Sequence, residues 1–124
     1  MVDVILVEES LSESALACIA IALRRPGTRV AEARSLQQAH DIVQRQTDTP
    51  PLVILGWRAL QVCLKPFAFT VVGLASDVGK AQRERALRAG VRAIYDRPAD
   101  WRDYARVVEN ILAQWTPAPE AQDA

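Results

Sequence analysis

The sequence is poor in the residue types that build disulfide frameworks and metal sites. Its 124 residues include two cysteines, Cys18 and Cys63, and one histidine. The two cysteines lie far apart with no Cys-x-x-Cys pair, which excludes a disulfide framework and a cysteine-rich zinc site and is typical of a reducing compartment. We therefore expect a cytoplasmic protein that holds no metal and no cofactor.

Neither an excess of charge nor a long apolar run is present. Fifteen basic residues balance fifteen acidic ones, so there is no bias toward nucleic acid or an anionic membrane. The most apolar run, Ala15–Leu23, has nine residues, whereas a membrane-spanning helix needs about 20. No phosphate-binding loop, Gly-x-Gly-x-x-Gly motif or Ser-His-Asp set is found. The sequence thus predicts no membrane segment, no nucleic-acid partner and no catalytic residue of a standard enzyme.

What the chain does contain is a regular alternation of short apolar runs and amphipathic segments. Unbroken apolar runs such as the "VDVILV" that ends at Val7 are typical of strands buried on both faces of a parallel sheet. Alternating strands and helices predict an α/β fold, a three-layer α/β/α sandwich with a five-stranded parallel sheet. Strands are predicted at residues 2–7, 29–33, 52–55, 70–76 and 92–96.

Helices are predicted between these strands. Ser10 or Ser12 is suited to cap the first helix and Ser35 the second, and Gly90 is a typical end for the fourth. The predicted helices cover about 10–25, 35–46, 79–90 and 100–115, and residues 57–69 have room for one or two helical turns. In the last helix, Trp101 and Trp115 share the apolar face with Tyr104 and its neighbours.

The carboxyl ends of parallel strands are where ligands and chemistry usually lie in such folds. The residues predicted at that edge are mainly polar or small. They are Glu8 and Glu9 after the first strand, Gly56 and Trp57 after the third, Ala75 and Ser76 after the fourth, and Arg97 and Pro98 after the fifth.

This set of strand ends resembles the response-regulator receiver domain, the CheY-like module of two-component signalling. The stretch "RALRAGVRAIYDRPAD" is similar to the family's A-L-x-A-G-A-x-x-Y-L-x-K-P signature. The acidic pair Glu8–Glu9 and the Arg97–Pro98 pair match family positions. The resemblance covers residues 2–115 and implies a flavodoxin-like (CheY-like) fold, with a third helix that is shortened or missing. We expect residues 1–115 to form this domain and residues 116–124 to be a disordered tail or linker.

The departures from the family pattern bear on function. Gly56 stands where the resemblance places the phosphate-accepting aspartate, Ala75 stands at the hydroxyl position, and Ile94 stands at the aromatic switch position. Glycine can neither attack a phosphoryl group nor ligate magnesium, which needs several oxygen ligands. The resemblance therefore implies a degenerate receiver, or pseudo-receiver, that works without phosphorylation.

Three further expectations concern the residues left at this edge. We expect Arg97 to act as a permanent counter-charge for Glu8 and Glu9, because two adjacent carboxylates are stabilised by a nearby cation. Trp57 is a candidate cover for the pocket that Gly56 leaves empty, or else a core residue. The resemblance implies a cis peptide bond between Arg97 and Pro98.

The expected partners are other signalling proteins: a histidine kinase, an output domain or another regulator, with a homodimer also possible. Candidate partner surfaces are a basic stripe of Arg85, Arg88 and Arg92, and the strongly apolar first helix with Leu16 and Ile21. Two alternatives remain open. The strand ends form a pocket for a small ligand or an atypical reaction, or a non-standard acid such as Asp77 or Asp96 accepts the phosphoryl group.

Overall fold

The computed structural model describes residues 2–46, 49–62 and 69–116. Strands and helices alternate along this part of the chain, as the apolar runs predict. The strands are β1 (Val4–Val7), β2 (Val30–Ala33), β3 (Leu52–Leu55), β4 (Val71–Ala75) and β5 (Ala93–Asp96). The helices are α1 (Leu11–Arg24), α2 (Leu36–Gln44), α3 (Trp57–Val62), α4 (Lys80–Arg88) and α5 (Trp101–Trp115).

The five strands form one parallel sheet in the order β2-β1-β3-β4-β5. Helices α1 and α5 pack on one face, where their apolar side chains meet those of Leu6, Ile54 and Leu74. Helices α2, α3 and α4 cover the other face, over Val7 and Leu55. The three-layer sandwich and the flavodoxin-like order of strands are therefore confirmed, and all five carboxyl ends lie along one edge.

The helix boundaries follow the capping residues that the sequence shows. The side chains of Ser10, Ser35 and Asp100 each accept a hydrogen bond from a backbone N–H in the first turn of α1, α2 and α5, and such caps satisfy otherwise unpaired donors. Gly90 follows α4 with a φ of 109°, a conformation that glycine adopts without strain. The third helix is present but short, at six residues. Cys63 and the tail from residue 117 lie outside the described residues.

Two predictions about burial differ from the structure. Ile21, which the sequence left as a candidate for a partner surface, is only 1% exposed and belongs to the core between α1 and the sheet. Trp101 lies at the first turn of α5 and is 40% exposed, so it is not part of the buried face formed by Tyr104 and Leu112. In both cases the apolar stripe is wider than the face that the sheet covers.

Among the helices of the described ranges, none has the length and apolar composition of a membrane-spanning segment.

Short α3 is held to the sheet by one close contact. Leu60 is 1% exposed, and its two methyl groups lie 2.8 and 3.0 Å from the position that a Cβ on Gly73 would take. Gly73 is in the middle of β4, where its missing side chain leaves a recess for Leu60. A glycine within a strand often marks such a close approach.

We expect Leu60→Ala to cost about 2–5 kcal/mol in the free energy of unfolding, because it empties this recess. Gly73→Ala should cost about 1–3 kcal/mol by overpacking it. The double variant should lose less than the sum, because the added methyl group fills part of the hole. Urea unfolding of the four proteins measures the coupling, and strict additivity would contradict this packing account.

Candidate functional site

The pleat of the sheet places Glu8 and the absent side chain of Gly56 on the same face. Val7 pairs with Leu55 across β1 and β3, so the next residues, Glu8 and Gly56, lie side by side. Side chains alternate between faces along a strand. Since Leu6 and Ile54 point toward α1 and α5, the residues two positions later point to the same face at the carboxyl edge.

The carboxylate of Glu8 lies over Gly56. A Cβ built on Gly56 would be 2.2 Å from Oε1 and 2.8 Å from Cδ of Glu8, distances that only a shift of the glutamate would relieve. The other oxygen, Oε2, accepts a hydrogen bond of 3.1 Å from the backbone N–H of Ser10. Gly56 itself donates to the carbonyl of Val7 at 2.9 Å. Glycine at this position thus makes room for the carboxylate of the neighbouring strand.

Arg97 pairs with Glu13 rather than with Glu8 and Glu9. Its Nη1 atom contacts Oε1 of Glu13, which lies in the first turn of α1, and its guanidinium lies over the ring of Tyr104, 5.4 Å from the centroid. The expectation that Arg97 is the counter-charge for the acidic pair is therefore wrong. The counter-ion is one helical turn further on, and it ties the loop after β5 to α1.

Tyr104 completes this cluster from α5. Its side chain is buried, and burial raises the pKa of Tyr104 to about 12; the positive charge of Arg97 opposes the rise, and the negative charge of Glu13 adds to it. The raised pKa keeps the phenol of Tyr104 neutral beneath the guanidinium of Arg97. The cluster therefore carries two carboxylates, those of Glu8 and Glu13, against one guanidinium.

Glu9 does not belong to this arrangement. Alternation along the chain turns it away from Glu8, and its carboxylate pairs with Nε of Arg58 at 3.1 Å. Both side chains are largely exposed, at 53% and 75%, so the pair is a surface ion pair of small energetic weight. Adjacent glutamates in the sequence therefore separate into one site residue and one surface residue.

The ends of β4 and β5 are joined by hydrogen bonds. Ala75 is 2% exposed, and its carbonyl accepts from the backbone N–H of Arg97 at 3.2 Å. The hydroxyl of Ser76 donates to the carbonyl of Arg97 at 3.2 Å. The peptide bond between Arg97 and Pro98 is trans, so the cis bond that the resemblance implied is wrong, and the bond keeps the ordinary form.

A small cavity lies beside Gly56, between the sheet edge, α1 and α5. Its volume is about 30 Å³, which is room for two or three water molecules. Trp57 does not cover it. That side chain starts α3 and is 39% exposed. The polar part of the lining consists of Glu8, Glu13, Ser14, Arg97 and Tyr104, and the apolar part includes Leu6, Ile54 and Leu74.

Comparisons with known proteins were informative at the level of structure alone. No protein-family model matches the sequence, and no curated protein matches it. A response regulator in red light signalling of R. palustris superposes with a TM-score of 0.75 at 13% identity, over 96% of this chain and 100% of that one. The chain has the fold of a response-regulator receiver domain.

Two other solved response regulators have the same fold. The phosphorylated cyanobacterial phytochrome response regulator RcpA has a TM-score of 0.73 at 17% identity and covers 91% of this chain and 92% of its own. An atypical orphan response regulator, described with a phosphorylation-independent regulatory mechanism, has a TM-score of 0.67 at 12% identity and covers 94% of this chain and 99% of its own. The receiver fold is thus found among proteins described as phosphorylated and among proteins described as independent of phosphorylation.

Ile94, which the resemblance places at the switch position, and its neighbour Tyr95 point to opposite faces of the sheet. Ile94 packs toward α2, α3 and α4. Tyr95 points to the other face, where its hydroxyl donates to Oε1 of Gln114 and accepts from Nε1 of Trp115, both at 2.8 Å. Tyr95, the aromatic side chain of β5, is therefore held by α5.

The basic residues expected to form one stripe face different neighbours. Arg85 donates to the carbonyl of Gln61 in α3 at 3.2 Å. Arg92 lies over the ring of Trp115 on the opposite side of the sheet, 5.6 Å from its centroid. Arg88 is exposed in the last turn of α4. The three side chains do not make a continuous stripe, so the prediction of that stripe is wrong.

Sequence reasoning missed two members of the site, Glu13 and Tyr104. From the sequence, no site role is expected for Glu13, and Tyr104 is placed on the apolar face of the last helix. In the structure Glu13 also lies in the first turn of α1, and Tyr104 also belongs to the core. The period of the α1 helix offered a signal. Glu13, Ala17 and Ala20 lie on one side of the helix at i, i+4, i+7 spacing. Ala17 and Ala20 are buried, and Glu13 is turned toward the same side.

We expect Glu13→Gln to cost about 1–2 kcal/mol in the free energy of unfolding, because it leaves the half-buried Arg97 without a counter-ion. Glu9→Gln is the matched control, since its partner Arg58 is exposed, and it should change stability by less than about 0.5 kcal/mol. Chemical denaturation at neutral pH measures both. Equal effects of the two variants would contradict the distinction drawn between the two ion pairs.

The buried Tyr104 predicts a loss of stability at high pH. Its pKa in the folded protein is about 12, above the value of about 10 in an unfolded chain. The stabilisation is therefore complete below pH 10 and is lost as the pH rises toward 12. Thermal unfolding across this range should show the decline, and Tyr104→Phe should remove that part of it. A Tyr104→Phe profile that matches the wild type would count against this assignment.

Proposed function

We propose that this chain is a phosphorylation-independent signalling module of the two-component, or phosphorelay, type. It acts by binding protein partners such as a histidine kinase, an output domain or another regulator, and not as an enzyme. The observation that carries the proposal is the carboxylate of Glu8 lying over Gly56. The place from which a phosphate-accepting side chain would extend is already filled.

The contacts of the Glu8 carboxylate argue against its being a replacement acceptor. One oxygen lies against Gly56 and the other accepts the N–H of Ser10, so the carboxylate is held against the sheet edge. The cavity beside it, of about 30 Å³, has room for two or three water molecules. At the ends of the neighbouring strands, Ala75 offers no hydroxyl, and Arg97 is paired with Glu13.

The same contacts support a fixed shape for the surface around the site. The resemblance to the receiver family implies that, in that family, phosphorylation changes the contacts at the ends of β4 and β5. Here those ends are joined to each other through Ser76 and Arg97, and to α1 through Glu13. A surface fixed by permanent contacts suits a module whose output depends on which partner is present.

The cavity also bears on the alternative of a ligand-binding or catalytic pocket. Pockets that hold metabolites commonly measure about 300–1,000 Å³, and the cavity at the strand ends is about 30 Å³. No cluster of three or more possible metal ligands is found among the described residues. A binding surface on the outside of the domain is therefore the better-supported candidate.

Incubation with a small phosphodonor and magnesium, followed by intact-mass measurement, tests the proposal. We expect no added phosphoryl group on the wild-type protein. Glu8→Gln is the matched variant: an adduct seen on the wild type and absent from this variant would identify Glu8 as the acceptor. An adduct on both proteins would point to another acid, such as Asp77 or Asp96. Either adduct overturns phosphorylation independence.

The same samples give a second measurement. The Tm of the wild type should not rise on addition of magnesium, because Glu13 is already paired with Arg97 and the carboxylate of Glu8 is held by Gly56 and the N–H of Ser10. A large rise would show that Glu8 moves away from Gly56 to hold the ion.

A further inference from the structure

The outward face of α1 is apolar except for the exposed Ser12. At 100° per residue, its exposed apolar residues fall within an arc of about 140° on the side opposite the sheet. Leu11 is 65% exposed, Leu16 37%, Ile19 49% and Leu23 66%, and exposed Ala15 and Ala22 lie between them. We call these six residues the α1 face. Single exposed leucines are ordinary on protein surfaces, but a continuous apolar face indicates an interface.

The rest of the α1 surface is engaged by the described part of the domain. Glu13 pairs with Arg97, and Arg24 pairs with Glu109 of α5 at 3.5 Å. On the other flank, the hydroxyl of buried Ser14 donates to Glu32 of β2. These contacts fix the rotation of the helix about its own axis. The α1 face is therefore turned outward by its neighbours and is not free to rotate into the core.

We propose that the α1 face is the interface of a homodimer in which two copies of α1 pack antiparallel. The central residues Ser12, Ala15, Ile19 and Ala22 follow the three-four-three spacing of a coiled-coil seam. The seam is symmetric about the level of Ala17. A two-fold axis at that level puts Ser12 opposite Ala22 of the second copy and Ala15 opposite Ile19.

The side chains along the seam suit such close packing. Serine and alanine at three of its four positions let the two helix backbones approach each other, and Ile19 is the single large residue at the centre. Leu11, Leu16 and Leu23 flank the seam and close over it. The exposed apolar surface of each copy is thereby covered by the same surface of the other, as a two-fold symmetric interface requires.

Charge selects the antiparallel direction over the parallel one. Acidic Glu9 lies just before α1 and basic Arg25 just after it, with no charge from Ser14 to Leu23. Glu13 and Arg24, at the two ends of the helix, are paired within the chain. Antiparallel packing brings Glu9 to the level of Arg25 of the second copy and aligns opposite ends of the two helix dipoles. Parallel packing would bring like charges together, which disfavours it.

The expected dimer is weak. Helix α1 has 14 residues and is therefore about 21 Å long, so this single helix offers less than the roughly 800 Å² per partner that is common in stable complexes. A dissociation constant on the order of micromolar is expected. This inference is independent of the phosphorylation test, because it concerns a surface that Glu8 and Gly56 do not form.

Sedimentation equilibrium across a range of concentrations tests the dimer. The wild-type mass should rise from that of one chain toward that of two, and Ile19→Lys should weaken dimerisation at least about tenfold. Leu87→Lys is the matched control, because Leu87 is 45% exposed on α4 and outside the α1 face. A monomer at every concentration, or a dimer that Ile19→Lys leaves intact, would overturn the proposal. Circular dichroism verifies that both variants are folded.

Disulfide trapping tests the direction of packing. In a background with Cys18→Ala and Cys63→Ser, Ser12→Cys and Ala22→Cys are made as separate proteins. Only their mixture should form a cross-linked dimer efficiently under oxidation, because like positions lie ten residues apart along the seam, about 15 Å, which is beyond disulfide reach. Cross-linking of each protein alone, or none in the mixture, would contradict the antiparallel arrangement. Binding of a different protein to the monomer through the α1 face would contradict the homodimer proposal.

Discussion

The packing of the Glu8 carboxylate against the backbone of Gly56 is the contact on which the site depends. It exists because β1 and β3 are neighbours in register and because residue 56 has no side chain. A larger residue at this position would force the carboxylate of Glu8 to move. The missing side chain of Gly56 and the position of the Glu8 carboxylate are thus parts of one packing arrangement.

A second constraint follows from the pairing of Arg97 with Glu13. This pair joins the loop after β5 to the first turn of α1, over the buried ring of Tyr104. Because Glu13 supplies the negative charge, Arg97 needs no metal ion or phosphoryl group as a partner. The same pair helps to fix the rotation of α1 and so determines which residues that helix turns to solvent. The interior of the site and the proposed dimer surface are therefore connected through one side chain of α1.

Much of this could be predicted from the residues. The apolar runs located every strand, the capping serines located the starts of α1 and α2, and the gap before Thr70 indicated a short third helix. Predictions about individual side chains succeeded less well. Glu8 and Glu9 were treated as a pair because they are adjacent, although a strand turns adjacent residues to opposite faces. Ile21 was assigned to a surface because the whole of α1 is apolar, and only the packing on the sheet shows which side of that helix is buried.

The sequence by itself determined the alternation of elements, the parallel sheet and the composition of its carboxyl edge, because these depend on local periodicity and on the chirality of the crossovers. Tertiary structure alone decided which charges meet. Glu13 and Arg97 are 84 positions apart in the chain, and no local pattern encodes a contact across that separation. Ion pairs depend on distances of a few ångströms between side-chain ends, and those distances are fixed only after the helices have packed on the sheet.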